Sequence, residues 1–133
     1  MTKTMLISVV VIFVIAMGLG FLIHGVLLAP DYAQLPNLFR TKEDGAAHFP
    51  FLILAHVFFA VGFVWIYNKG KEAKPFLEQG IRYGIAIAVL STIATYLIYY
   101  AVQPMPGMLV LKQIIFDTIG VILMGIVVAW LNK

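Results

Sequence analysis

The chain has no cysteine among its 133 residues, which removes disulfides, thiolate metal sites and thiol redox chemistry together and says nothing about compartment. Charge is scarce as well. Nine Lys and Arg and six Asp and Glu make up 11% of the chain, against about a quarter in an ordinary soluble domain. So few charges cannot cover a water-soluble globule of this length, and the soluble class is excluded. What fills the chain is apolar: 62% of residues are hydrophobic and the mean hydropathy is +1.00. The length allows one domain, residues 1–133. The isoelectric point is near 9.3, but the basic residues lie mostly in short connections beside apolar runs. That pattern is a membrane-topology signal, and no nucleic-acid partner is expected.

Four apolar runs predict an all-α polytopic membrane protein, an up-down bundle of four transmembrane helices over about residues 5–29, 49–67, 81–102 and 108–131. The first, Met5 to Ala29, holds 25 residues, about 37 Å of helix, enough to cross a hydrocarbon core of about 30 Å with some tilt. It is far longer than the apolar segment of a signal peptide and reads as a retained helix. Pro50 suits the first turn of the second span. Gln103-Pro104-Met105-Pro106-Gly107 separates the third from the fourth, where Lys112 sits one turn in and can snorkel. The runs are rich in β-branched residues, yet in lipid each segment must satisfy its own backbone, so they read as helices. The long connection, 30–48, is expected on the membrane surface or over the bundle mouth.

Lys3, Lys69, Lys71, Lys74, Arg82 and Lys133 lie on the side of the termini, and Arg40, Lys42 and Lys112 on the other. Six against three predicts both termini in the cytoplasm. Tyr and Trp at the helix ends fit interfacial belts: Trp65, Tyr67, Tyr83 and Trp130 on one side, Tyr32, Tyr99 and Tyr100 on the other. Helices in lipid associate by close backbone approach and polar contacts. Gly80, Gly84 and Ala88, at four-residue spacing, form a small-residue ridge expected to pack against another helix. Glycines also punctuate the first and fourth helices, and packing is the expected role for them too.

Ionisable groups within spans are costly, so each is a functional candidate. His24 and His56 fall on antiparallel helices, both roughly 8–10 Å below the outer surface. Two imidazoles at one level resemble a b-type haem arrangement, with Gly20 and Ala60 one turn away as small residues beside a porphyrin. The simpler reading has each imidazole bonded to a backbone carbonyl, a tyrosine or the outer loop; a quinone, metal or proton role is a third. Asp117 lies near mid-membrane on a face shared with Gln113, Gly120 and Met124. It reads first as a hydrogen-bonded acid gluing helices through Gln113, Ser91, Thr92 or Thr95, and second as a proton- or cation-exchanging group. In the outer connection, Asp31, Tyr32, Arg40 and His48 could bind something at the bundle mouth, although solvated charges or an Arg40–Asp31 salt bridge account for most of them. Paired carboxylates for acid–base catalysis, a nucleophile with a base and a phosphate loop are absent.

The run His24-Gly25-Val26-Leu27-Leu28-Ala29-Pro30-Asp31-Tyr32, with Arg40, Gly80 to Gly84, Pro104 and Pro106, resembles a family of small uncharacterised four-helix bacterial integral membrane proteins. The resemblance covers about the whole length. It implies a bacterial inner-membrane location and carries no activity, cofactor or catalytic residue.

Three function classes follow, in this order. The first is a non-enzymatic accessory or assembly subunit of a membrane complex, favoured by small size and the small-residue ridge, with a protein partner or homo-oligomer expected. The second is a haem- or quinone-binding redox module on His24 and His56. The third is a small proton- or cation-coupled transporter using Asp117. An enzyme is the less favoured class.

Overall fold

The computed structural model describes all 133 residues and is all-α. Its four long helices are α1 (Lys3–Leu27), α3 (Lys42–Gly70), α4 (Phe76–Val102) and α5 (Gly107–Leu131), each long and apolar enough to cross a membrane. A five-residue helix, α2 (Ala29–Ala33), follows α1. The chain is therefore a multi-pass membrane helix bundle. The antiparallel order places both termini and the α3–α4 turn at one end, the termini end. The 28–41 and α4–α5 connections form the other, the connection end.

Helix boundaries follow local chemistry. The Thr2 hydroxyl caps α1 by accepting from the Met5 amide at 3.2 Å. α3 begins at Lys42, seven residues before the apolar run at 49, because Thr41 accepts from the Asp44 amide and Glu43 and Asp44 occupy the favourable first turn. Pro50 consequently sits inside α3 and not in its first turn. The 30–48 connection shrinks in the same way, with α2 at its start and the first turns of α3 at its end. α4 likewise starts earlier, at Phe76, directly after Pro75. Such turns are too polar to register as apolar span, yet a capped helix continues through them.

The tightest contact joins α4 to α5, and the sequence ridge explains it. A Cβ at Gly80 would stand 2.6 Å from the Ile126 Cα, and one at Gly84 would stand 2.5 Å from the Ile122 Cα. Gly125 is pressed against the Gly80 carbonyl in return. Ala88 is buried on the same face. α1 packs between α3 and α5. Its Ile12 and Ala16 enter a core with Ala60, Phe63, Val64, Val121, Met124 and Val128.

α3 and α4 meet at the termini end, where the Tyr83 hydroxyl donates to the Phe63 carbonyl at 2.5 Å and its ring packs on Phe63 and Tyr67. There, too, the buried Asn132 amide donates to the Ser8 hydroxyl at 2.9 Å, tying the C-terminus to α1. Toward the connection end the bundle opens. A cavity of about 920 Å³ lies among α1, α3, α4 and α5. Its α1 and α5 walls include buried Ala16, Ile23, Gly120, Val121 and Met124; its α3 and α4 edges include exposed Leu52, Ala55, Ser91, Thr95 and Tyr99. The gap therefore faces sideways, between α3 and α4.

Candidate functional site

The cavity's polar centre is built by four elements. Asp117 of α5 lies ten residues into its helix, about 15 Å from the helix start. His24 of α1 brings Nε2 to 3.3 and 3.2 Å from its two carboxylate oxygens. The Tyr96 hydroxyl of α4 donates to the same carboxylate in a short hydrogen bond. On its other side, His24 Nδ1 lies 2.6 Å from the Tyr32 hydroxyl of α2, and Gln113 Nε2 donates to that hydroxyl at 3.1 Å. With Asp117 ionised and the imidazole neutral, the hydrogens run one way: Gln113 to Tyr32, Tyr32 to His24, His24 to Asp117. Burial pushes the Tyr32 phenol above its ordinary value, so it stays protonated within this chain. The chain connects the cavity to the connection end, where Lys112 pairs with Asp31 at 3.1 Å.

The backbone adjusts locally to make this geometry. His24 lies in a π-helical stretch, Phe21–Leu27, closed by Leu28 donating to the Ile23 carbonyl at 2.8 Å. A second π stretch, Ala88–Ile93, carries Ser91 and Thr92 on the α4 wall. π turns are rare and concentrate at functional sites, because the wider turn re-aims side chains that a regular helix would place elsewhere. Here both border one cavity.

The expected site residues separate into several places. His24, Asp117 and Tyr32 come together, joined by Gln113 through Tyr32. Asp117 does not bond Gln113, Ser91, Thr92 or Thr95; its partners are His24 and Tyr96. His56 lines the cavity with its Nδ1 2.7 Å from the Leu52 carbonyl, and its Nε2 would touch a Cβ at Gly20, at 3.6 Å. Both His24 nitrogens are engaged, so ligation of one haem iron by His24 and His56 would require His24 to release Asp117 or Tyr32. Ala60 is fully buried in the core. No group of three or more His, Cys, Asp and Glu gathers to hold a metal ion. Arg40 pairs with Asp44 at 2.7 Å and not with Asp31, and His48 leans on the same Asp44 at 3.2 Å. That trio is a local ladder on an exposed helix start. Gly80, Gly84 and Ala88 are helix packing, away from the cavity.

Sequence reasoning missed Tyr96. Its signal was available: a tyrosine in the interior of a span must find a partner for its hydroxyl, and no water is present to supply one.

Fold and site together define a small multi-pass membrane helix bundle with a polar centre in a laterally open cavity. Comparison with known proteins adds no name to that class: no family model, no curated protein and no solved structure matches the chain.

Proposed function

We propose that this protein is a proton-linked membrane binding protein or carrier, which admits an amphipathic small molecule from the bilayer between α3 and α4 and exchanges a proton through the His24–Asp117 pair. The observation that carries the reading is the continuous hydrogen-bonded chain Asp117–His24–Tyr32, running from an apolar cavity toward the connection end. A carboxylate held as structural glue needs donors. It does not need an imidazole whose second nitrogen continues to a half-buried tyrosine on the next helix. Intramembrane carboxylate and histidine chains of this kind serve as proton relays.

The accessory or assembly-subunit reading drew on the small-residue ridge. That ridge is covered by α5 within the bundle and offers no surface to a partner. The termini end carries six basic and two acidic side chains, which supports cytoplasmic termini, and with the resemblance it supports a bacterial inner membrane.

Infrared difference spectroscopy on reconstituted protein tests the reading. As pH is cycled, a carboxyl band should appear and vanish reversibly, and Asp117→Asn should remove it. Tyr32→Phe should slow exchange of that carboxyl with deuterium. A carboxyl band that stays constant throughout the cycle would reduce Asp117 to a structural hydrogen-bonding group and end the proposal.

A further inference from the structure

The geometry points to a lipophilic amine as the cavity's ligand: a positively charged N–H donor on an apolar body, taken up in exchange for one proton. This rests on the proton-linked reading above and adds the chemical class of the ligand.

The directions of the hydrogen bonds make the argument. A carbonyl can only accept, so the bond from His56 Nδ1 to the Leu52 carbonyl fixes the hydrogen on Nδ1. The neutral ring then has its lone pair on Nε2. Ser91 Oγ donates its hydrogen to the Ile87 carbonyl at 2.7 Å and keeps lone pairs for other partners. The Tyr96 hydroxyl donates to Asp117, as does His24 Nε2–H. Every cavity-lining side chain whose hydrogen is fixed in this way is left with acceptor capacity or none. No Lys or Arg lines the cavity, and Asp117 is its one carboxylate. The Thr92, Thr95 and Tyr99 hydroxyls also line the cavity and can turn to donate or accept, so charge decides. A carboxylate or phosphate would face the like charge of Asp117, whereas an ammonium brings the opposite charge together with donors for the Asp117, His56 and Ser91 acceptors.

The rest of the cavity suits the apolar body of such a cation. Phe21, Phe49, Phe59 and Tyr99 contribute to its walls, and a cation over an aromatic face gains further attraction. The volume of about 920 Å³ is that of a small-molecule site. The opening between α3 and α4 admits a ligand already dissolved in lipid.

The exchange follows from charge. Asp117 faces His24 from α1 and Tyr96 from α4; His56 of α3 lines the same cavity, Tyr32 of α2 stands behind His24, and the Lys112–Asp31 pair at the mouth is neutral as a unit. One proton held by the His24–Asp117 pair makes the pair neutral, on whichever partner it rests. An ammonium entering beside the protonated pair would leave a net positive charge among apolar walls, which low-dielectric surroundings disfavour strongly. The pair therefore gives up its proton, with the Tyr32 hydroxyl the next group in the hydrogen-bonded chain toward the connection end. The amine remains an ammonium, so one cation enters for one proton released.

The test uses the full protein in phosphatidylcholine nanodiscs with dansylcadaverine, a fluorescent primary amine. Dansyl amide and a dansyl alkyl carboxylate serve as neutral and anionic counterparts, and protein-free discs as background. The amine should bind saturably, at least about tenfold tighter than either counterpart, and release about one proton to a weakly buffered pH dye. Asp117→Asn should abolish the release and weaken binding about tenfold or more. Should that variant not fold, Ala55→Trp, which fills the exposed edge of the opening and leaves the carboxylate intact, must also abolish binding. Equal affinity for the neutral or anionic probe, or no saturable binding of the amine, overturns the proposal. If the amine fails while the Asp117 infrared band still follows pH, the ligand class alone is wrong; if the band is constant as well, the proton-linked reading falls with it.

Discussion

At the scale of single residues, two donors of the cavity depend on one carboxylate. Asp117 receives hydrogens from His24 and Tyr96. An asparagine could still accept one of them, whereas a leucine would leave an imidazole N–H and a phenol hydroxyl without acceptors in an apolar setting. Leaving buried donors unsatisfied costs about 1–3 kcal/mol, whereas an exchanged interhelical hydrogen bond in a membrane changes stability by about 0.6 kcal/mol on average. Asp117→Leu is therefore expected to destabilise the bundle clearly and Asp117→Asn only slightly, as read by thermal unfolding in mild detergent. Equal effects would mean that the two donors find other acceptors. His24 and Asp117 were legible in the sequence because an ionisable group within an apolar run is conspicuous. Tyr96 was not, because six tyrosines in a membrane chain suggest interfacial belts before they suggest a buried partner.

At the scale of elements, the ridge of α4 and the π stretches do opposite things. The ridge brings two backbones together; the π stretches reshape two helices where they border open space. Gly84→Leu should drive α4 and α5 apart, at a cost of about 3 kcal/mol or more, because the collision is with backbone that cannot rotate away. Gly18→Leu, with nothing within 4 Å of its added Cβ, is the matched control and should leave unfolding unchanged. Both can be read in one series by circular dichroism in detergent. Deleting Val26, an exposed residue within the first π stretch, should let α1 close into regular helix and turn Tyr32 away from His24. Deuterium exchange of the Asp117 carboxyl should then slow as it does in Tyr32→Phe, with the helical spectrum intact. Four-residue spacing made the ridge readable from sequence alone. The π stretches were not readable, since an extra residue in a turn leaves no mark in an apolar run whose every position can face lipid. The start of α3 was missed for a related reason: Thr41, Glu43 and Asp44 are a cap and first turn by their chemistry, but hydropathy counts them as connection.

At the scale of the whole molecule, the two ends differ in charge, and that difference decides where the proton chain leads. Three basic and three acidic side chains stand at the connection end, against six and two at the termini end. Lys and Arg near span ends favour the cytoplasmic side, so the proposed orientation has the termini end there and Tyr32 toward the opposite compartment. The absence of native cysteine makes this directly measurable, because a single introduced thiol has no competitor. Asn37 and Ala73 are exposed, one in the connection after α2 and the other in the α3–α4 turn. In intact cells, a membrane-impermeant maleimide should label Asn37→Cys and spare Ala73→Cys until the membrane is opened. The reverse pattern would put the termini outside, and the proton released through Tyr32 would then enter the cytoplasm instead of leaving it. The cavity chemistry would be the same in either case. What changes is whether an ammonium is exchanged against an outward or an inward proton, and with it the direction in which a transmembrane pH difference can drive the ligand.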